Sequence, residues 1–414
     1  MLPVALVVAF SAGHSVDPLV GVAVFYVSTI FAEQTWSMAT PRGDLGQYLL
    51  VGSLFFLLLV PRALGDVLGV WDLRIAAVVL CLMTYFHMVR GPSYRLSHGS
   101  LVGKVCLVTG CSAGIGLATA QCLAAAGATI VFGCRSEERA REAMKTILKA
   151  GGVQQDQLLF VAPLDLCSIE SVKDFGLKFR LVASMRGSQL HLVVMNAGAM
   201  YNSRSYTEDG VEKTFSSNHL GHFALMQQLL PFVKAAEQTS DLPRILVIGS
   251  CISNGFDAFD FSEAVAVGKE DIEARVSERP YEMFYAYGQS KFANLLFSTE
   301  LVRRLRADGS KVPVCVVHPG SVHTDIARDL PSFVFAVFKA LQPVLHLFFK
   351  TPHQGCSSTL YAATSAEILN VSAGTAGCLY IDRLSVRQPN EAAVDLKASQ
   401  TLWTISEALV KGAT

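Results

Sequence analysis

Hydrophobic and polar positions follow two different patterns along this chain of 414 residues. The first ninety residues contain four uncharged, largely apolar runs: 1–16, 18–32, 45–61 and 75–89. The last two runs are apolar on every face of a helix, as is typical of buried or membrane-embedded helices. Each run is shorter than the ~20 residues that span a bilayer comfortably. Arginines flank the last two, and their long side chains can reach the interface.

We predict from this pattern that residues 1–95 form a membrane anchor of two to four short helices. Three alternatives stay open: buried core helices, a cleaved signal peptide and a small transporter module. The first run lacks the basic residues that open a signal peptide, and Asp17 is too little intramembrane charge for a transport path. Arg90, Arg95 and Lys104 follow the anchor without an intervening acid, which places the next domain on the cytosolic side.

From Leu101 the pattern changes, and short apolar strands alternate with helices. The predicted strands are 104–109, 128–133, 158–164, 190–195 and 244–249. Alternation of this kind predicts an α/β fold with a doubly wound parallel sheet of the Rossmann type. We assign it to a second domain, residues 96–414.

The first strand runs into a glycine-rich turn, GCSAGIG, and then into a helix. Gly110 permits a tight turn, Gly114 lets the backbone approach a pyrophosphate, and Gly116 lets the helix pack close to the sheet. The helix N-terminus offers unpaired N–H groups to phosphate. Ser112 and Ile115 lie within the same turn, so the segment is a candidate dinucleotide site.

The end of the second strand indicates which dinucleotide is bound. NAD-selective sites place an Asp or Glu about 20 residues beyond the glycines, at the ribose 2′-hydroxyl. This chain has Arg135 there, which can pair with a 2′-phosphate. NADP(H) is therefore favoured over NAD(H). Arg135 could instead be an ordinary helix-start cation, and Glu137 or Glu138 could bind the hydroxyl and reverse the choice.

Polar residues follow the next two strands, at the sheet edge where α/β proteins bind ligands. Asp165 is a candidate acceptor for the adenine amine. For Asn196 two roles are equally favoured: lining the cofactor site, or hydrogen-bonding to neighbouring backbone.

Three further side chains form a candidate catalytic group. Tyr287 and Lys291 share one helix face, four residues apart. The pKa of a free tyrosine is ~10. A nearby ammonium favours the phenolate, as does the positive nicotinamide of an oxidised cofactor. We therefore predict that Tyr287 and Lys291 together act as an acid/base. Lys291 can also hold the nicotinamide ribose. Ser250 ends the fifth strand and would hydrogen-bond the substrate oxygen.

Together these motifs resemble the short-chain dehydrogenase/reductase family. Asn218-His219-Leu220-Gly221-His222-Phe223 and Val317-His318-Pro319-Gly320-Ser321-Val322-x-Thr324 are similar to its retinol dehydrogenase-like branch, which includes the catalytic part of WW-domain-containing oxidoreductase. The resemblance implies a catalytic tetrad of Asn218, Ser250, Tyr287 and Lys291. It further implies that Pro319, Gly320 and Thr324 contact the cofactor, and it favours the endoplasmic reticulum membrane.

The substrate side is apolar. Residues 330–350 contain nine Leu or Phe and two lysines, and in this branch the corresponding segment is a lid. A core helix hairpin is the alternative. The lid and anchor predict a lipophilic alcohol, aldehyde or ketone of the retinoid, sterol, polyprenol or fatty class, delivered from a lipid bilayer; a homodimer is possible.

Charge and residue clusters narrow the other function classes. The 34 basic and 34 acidic residues balance, which removes the electrostatic basis for binding nucleic acid. His219 and His222 lack a third ligand at a suitable spacing, so no metal site is expected. A non-catalytic nucleotide-binding scaffold at a membrane is the main alternative to an enzyme.

Overall fold

The computed structural model describes residues 93–184, 187, 189–239, 243–260, 280–322, 349–375 and 377–412. The predicted anchor, apart from its last three residues, lies outside these ranges. So does the predicted lid, apart from Phe349 and Lys350, and so does Thr324. Within the described ranges, no helix combines the length and apolar character needed to cross a bilayer.

An eight-stranded sheet forms the centre of the described domain, in the order β3-β2-β1-β4-β5-β6-β7-β8. All neighbouring strands are parallel except β7 and β8. The strands are β1 (Val105–Thr109), β2 (Thr129–Gly133), β3 (Leu158–Leu159), β4 (Leu192–Met195), β5 (Arg244–Ile248), β6 (Val314–His318), β7 (Leu379–Asp382) and β8 (Ser385–Arg387). The order confirms the predicted Rossmann-type fold.

One strand is shorter than predicted. The apolar run 158–164 predicts seven residues of strand, whereas β3 contains only Leu158 and Leu159. Pro163 has no N–H to donate to a ladder, so regular pairing cannot extend to the end of the predicted strand. The Leu164 N–H still reaches the Cys134 carbonyl at 2.9 Å, so the chain follows β2 as far as Asp165.

Helices cover both faces of the sheet. They are α1 (Gly114–Ala125), α2 (Glu137–Ala150), α3 (Ile169–Ser184), α4 (Lys213–Phe215), α5 (Gly221–Glu237), α6 (Met283–Ala307), α7 (Pro352–Gly355), α8 (Ser357–Thr364), α9 (Ala366–Ala373) and α10 (Leu396–Gly412). A π turn, Ser216–Leu220, joins α4 to α5.

Strand side chains alternate between two apolar clusters, one on each face of the sheet. Leu107 of β1 packs with α3, α5, α6 and α10, whose buried aromatics include Phe175 and Trp403. Cys106 and Val108 of the same strand pack with α1, α2 and α8. Each fully buried large side chain contributes roughly 1.5–3 kcal/mol, so both faces hold the sheet in place.

The strand order changes direction between β1 and β4. In open α/β sheets, ligands bind at the carboxyl ends of the strands beside such a switch point. The residues that follow β1, β2, β4, β5 and β6 therefore converge on one edge, which positions the site.

Candidate active site

A cleft of about 600 Å³ lies at this edge of the sheet. It is bounded by the glycine turn after β1, the ends of β2, β4, β5 and β6, and the first turns of α6. Twelve of the residues predicted from sequence line it: Gly110, Ser112, Gly114, Ile115, Arg135, Asp165, Asn196, Ser250, Tyr287, Lys291, Pro319 and Gly320.

The glycine turn forms one wall of the cleft, largely from backbone. Gly110 and Gly114 have φ values of +65° and +57°, the left-handed region that favours glycine. Gly116 lies behind the wall, where a Cβ would stand 2.5 Å from the Gly110 carbonyl oxygen. No described side chain caps the N-terminus of α1, so its first N–H groups suit a phosphate. This wall fits the pyrophosphate of a dinucleotide.

Asn196 holds the shape of that wall. Its Nδ2 donates to the Thr109 carbonyl at 2.9 Å, and its backbone N–H donates to Thr109 Oγ1 at 2.9 Å. The amide therefore ties the end of β4 to the end of β1 while the residue also lines the cleft. Of the two roles that the sequence left open, the structural one is visible in these bonds.

Two guanidinium groups stand at the far end of the cleft. Arg135 is exposed, and Arg139, which sequence reasoning missed, joins it from the first turn of α2. Neither Glu137 nor Glu138 is among the lining residues, and Glu137 instead pairs with Arg141 at 2.5 Å. Arg135 precedes the N-cap Ser136 of α2, so helical spacing does not relate the two arginines, and the sequence carries no clear signal for this second cation.

Asp165 is partly engaged by its own turn. Its Oδ1 accepts a hydrogen bond from the Cys167 N–H at 3.0 Å, a side-chain-to-backbone contact that fixes the turn after β3. The residue still lines the cleft, beside Leu164 and Leu166.

The opposite wall brings together the tyrosine, serine and lysine. Ser250 begins a 3₁₀ turn after β5, and its side chain lies close enough to Tyr287 to favour the phenolate. Lys291 Nζ donates to the Ile248 carbonyl at 2.9 Å and lies 5.7 Å from the centre of the Tyr287 ring. Helix α6 therefore presents both side chains at the end of β5.

Asn218 lies behind this wall in the π turn, fully buried. Its Oδ1 accepts from the Ala199 N–H at 2.7 Å, and its Nδ2 donates to the Ala199 carbonyl and to Ser290 Oγ, both at 2.9 Å. Ser290 Oγ in turn donates to the Tyr287 carbonyl at 2.7 Å. Asn218 thus joins the loop after β4 to the helix that carries Tyr287.

The electrostatics differ from the sequence expectation in one respect. Burial raises the pKa of Tyr287, which the nearby Ser250 side chain only partly offsets, and burial lowers the pKa of Lys291 to about 8. The expectation that the neighbouring ammonium brings the phenol pKa down is not seen here, because loss of hydration outweighs it. Tyr287 is accordingly a protonated phenol at neutral pH.

The Pro319–Gly320 turn closes the cleft after β6. Gly320 has a φ of +84°, and a Cβ on it would stand 2.8 Å from Lys350 Nζ. That buried ammonium lies 3.5 Å from the Pro319 carbonyl oxygen. Neighbouring His318 lines the cleft as well, and sequence reasoning gave it no separate role.

Comparisons with known proteins agree with this arrangement. A family model described as short chain dehydrogenase matches residues 104–258. Retinol dehydrogenase 14 of Mus musculus is 34% identical over 323 residues, covering 75% of this chain and 87% of that protein. Polyprenol dehydrogenase of Mus musculus is 32% identical over 342 residues, covering 83% and 93%.

A solved structure extends the likeness to three dimensions. An uncharacterised protein from Mycobacterium paratuberculosis superposes with a TM-score of 0.53 at 26% identity, covering 77% of this chain and 98% of that one. With these matches and the cleft geometry, the chain belongs to the short-chain dehydrogenase/reductase family, in its retinol dehydrogenase-like branch. It is an oxidoreductase of that family.

Proposed function

We propose that this protein is a membrane-anchored, NADP(H)-dependent oxidoreductase that interconverts a lipophilic alcohol and its aldehyde or ketone. The observation that carries the proposal is the convergence of Ser250, Tyr287 and Lys291 at one end of a cleft whose other end holds Arg135 and Arg139. Such a cleft accommodates a dinucleotide along its length, with a reacting group beside the tyrosine.

The chain's own residues supply the proton chemistry. A bound nicotinamide would donate or accept the hydride. The Tyr287 hydroxyl gives a proton to the substrate oxygen during carbonyl reduction and takes it back during alcohol oxidation. Ser250 hydrogen-bonds the same oxygen, and Lys291 supplies positive charge beside the phenol. The raised pKa of Tyr287 keeps the proton on the phenol at neutral pH, which favours reduction.

The preference for NADP(H) is supported by charge. Arg135 and Arg139 line the end of the cleft where the adenosine ribose would lie, and a 2′-phosphate attracts guanidinium groups strongly. Glu137, the competing acid, is held by Arg141.

The lipophilic substrate and the membrane are supported by composition and by relatives. Residues 1–90 carry four apolar runs, and residues 330–350 are rich in Leu and Phe. Two relatives are named for retinol and polyprenol, both lipophilic alcohols. We propose the endoplasmic reticulum membrane as the location. The catalytic domain would face the cytosol, because arginines follow the last apolar run and basic residues favour the cytosolic side. Formation of a homodimer stays a prediction.

The first test is an activity assay on the full chain in detergent, with NADPH and a panel of retinal, a long-chain aldehyde, a polyprenal and a ketosteroid. We expect turnover of at least one, and a loss of roughly 10²–10⁴-fold in Tyr287→Phe with cofactor binding retained. Tyr285→Phe is the matched control, since the Tyr285 hydroxyl donates to Asp260 Oδ2. Equal rates in wild type and Tyr287→Phe would overturn the assignment, and no turnover of any panel member would favour the scaffold alternative.

The second test concerns the cofactor. We expect Arg135→Ala to raise KM for NADPH roughly 10–100-fold, the value of a charge-assisted hydrogen bond, and to leave KM for NADH unchanged. Lys145→Ala, which removes an exposed cation of α2 that pairs with Glu142, should change neither. Equal effects on both cofactors would contradict the preference.

A further inference from the structure

A second cluster of reactive side chains lies outside the cleft. Cys122 is on the last turns of α1, His353 is within α7, and Cys356 follows α7 directly. Cys122 Sγ is 4.0 Å from His353 Nδ1, and the three potential ligand atoms all lie within 4.8 Å of one another. None of the three residues lines the cleft, so the redox chemistry of the enzyme does not explain the cluster.

The donor set matches one class of ion. Two cysteine sulfurs and one imidazole nitrogen are ligands that zinc prefers. Zn–S and Zn–N bonds of about 2.3 and 2.1 Å put sulfur and nitrogen about 3.6 Å apart in a tetrahedral site. The observed 4.0 Å between Cys122 Sγ and His353 Nδ1 requires a contraction of a few tenths of an ångström. The other two separations, which are at most 4.8 Å, require a contraction of at most about 1 Å, which side-chain rotation can supply.

The two ligands on the α7 side are held by a rigid turn. Thr351 Oγ1 accepts from the Gln354 N–H at 3.3 Å, and Gln354 Oε1 accepts from the Thr351 N–H at 2.9 Å, which makes a reciprocal capping box. His353 and Cys356 are three residues apart on this turn and therefore face the same side. His353 is exposed, Cys122 is half-buried and Cys356 is buried, so an ion can enter from solvent beside the imidazole.

We propose that Cys122, His353 and Cys356 bind one zinc ion, with water as the fourth ligand on the exposed side. Both thiols lose their protons to solvent when the ion binds, and the Cys356 S–H contact with the His353 carbonyl at 3.2 Å is replaced by a metal–sulfur bond. No electron transfer is involved.

The proposed ion joins two parts of the cofactor cleft from outside. Helix α1 begins at the glycine turn, and α7 packs against Val322, which lines the cleft: a Cβ on Gly355 would stand 2.6 Å from a Val322 methyl. Zinc would clamp these segments together and stabilise the folded domain. The prediction of no metal site considered only His219 and His222, whereas Cys122 and Cys356, far apart in the chain, meet only in the fold.

A disulfide between Cys122 and Cys356 is the competing outcome. The nine cysteines in the described part of the chain are all free thiols, and cytosolic proteins seldom keep disulfides. A thiol pair with a histidine in such a compartment is more often a metal site than a cross-link.

The test uses the full chain, purified in detergent without chelators and under reducing conditions. We expect about one equivalent of zinc per chain by elemental analysis, a lower melting temperature after chelation, and a thiolate-to-metal charge-transfer band after cobalt replacement. His353→Ala, an exposed position, should lose most of the zinc while still folding, and Cys122→Ser should also lose the cobalt band.

Matched controls separate the cluster from adventitious binding. His98→Ala removes an exposed histidine elsewhere, and Cys378→Ala removes a buried cysteine elsewhere; both should keep the zinc and the band. Zinc absent from the wild type, zinc retained in His353→Ala and Cys122→Ser, or a Cys122–Cys356 disulfide in the reduced preparation would each overturn the proposal.

Discussion

The two walls of the cleft are built in opposite ways. The cofactor wall is one short segment after β1, and its shape depends on side chains that are missing, as at Gly110 and Gly116. The catalytic wall combines side chains from three distant segments, the π turn, the end of β5 and α6. We therefore expect an added atom to disrupt the cofactor wall, and the loss of a hydrogen bond or a charge to disrupt the catalytic wall.

Each wall is supported by one buried or half-buried asparagine. Asn196 donates to backbone at the end of β1, and Asn218 bonds to Ala199 and Ser290 on the catalytic side. Each is held by protein groups and fixes the position of the residues that face a ligand. The sequence could not separate a structural role from a ligand-binding role for either asparagine, because a motif does not show which groups an amide will bind.

His222 connects the two walls. Its Nδ1 lies 3.1 Å from the Asn218 carbonyl, which can only accept, so Nδ1 carries the proton. Nε2 is then an acceptor, and the Thr109 hydroxyl donates a hydrogen bond to it at 2.8 Å. Thr109 Oγ1 accepts from the Asn196 and Ala197 N–H groups. One neutral histidine thus joins both sides of the cleft.

The largest effect is expected from adding one carbon to the cofactor wall. In Gly116→Ala the new Cβ would stand 2.5 Å from both the Gly110 carbonyl oxygen and Asn196 Nδ2. Because the first of these is backbone, α1 must move. We expect the free energy of unfolding to fall by about 2–3 kcal/mol and cofactor affinity to fall roughly 100-fold, measured by denaturation and by cofactor fluorescence.

Gly412→Ala provides the control for that variant. Gly412 lies in the last turn of α10, where an added Cβ would have no heavy atom within 4 Å, and the substitution should be neutral in both assays. An unchanged cofactor affinity in Gly116→Ala would contradict the account of the cofactor wall.

Local motifs were predictable because local geometry determines them. The strand, glycine turn and helix at 104–125 are contiguous, and the left-handed conformations at Gly110 and Gly114 follow from their residue type. Tyr287 and Lys291 share a helix face by spacing alone. The Rossmann-type fold follows from the alternation of strands and helices.

Long-range contacts were not predictable in the same way. The link from His222 to Thr109 joins residues on different elements, and the sequence predicted of His222 only that it does not bind a metal. The raised pKa of Tyr287 depends on burial, which no spacing reports. Arg139 entered the cleft because α2 begins at Glu137, and helix starts are among the least certain features of a sequence.

Lys291→Met tests the catalytic wall by removing a charge, whereas Gly116→Ala tests the cofactor wall by adding a carbon. The folded protein releases the Lys291 proton at about pH 8, against an ordinary value of 10.5. Between these values the unfolded chain binds more protons, so stability rises with pH across this window and is reduced below it. We expect Met to raise the free energy of unfolding at pH 7 by about 1–3 kcal/mol and to lower kcat roughly 10²-fold.

The measurement is denaturant unfolding between pH 7 and 10.5, in which the rise with pH should be absent from the variant. Lys311→Met, at an exposed position, should leave both the curve and kcat unchanged. A variant that is less stable than wild type at pH 7 would show that the Ile248 hydrogen bond outweighs the cost of burying the charge.

The smallest effect is expected from the residue that joins the two walls. Burial lowers the pKa of His222 to about 4, from an ordinary 6.5. The unfolded chain therefore binds more protons between pH 6.5 and 4, and stability is lost as pH falls through this window. In His222→Gln, which cannot ionise, we expect a shallower loss, by about 1–3 kcal/mol across the window, measured by denaturant unfolding. His98→Gln, at an exposed position, should reproduce the wild-type slope; if both variants do so, His222 does not stay neutral between the walls.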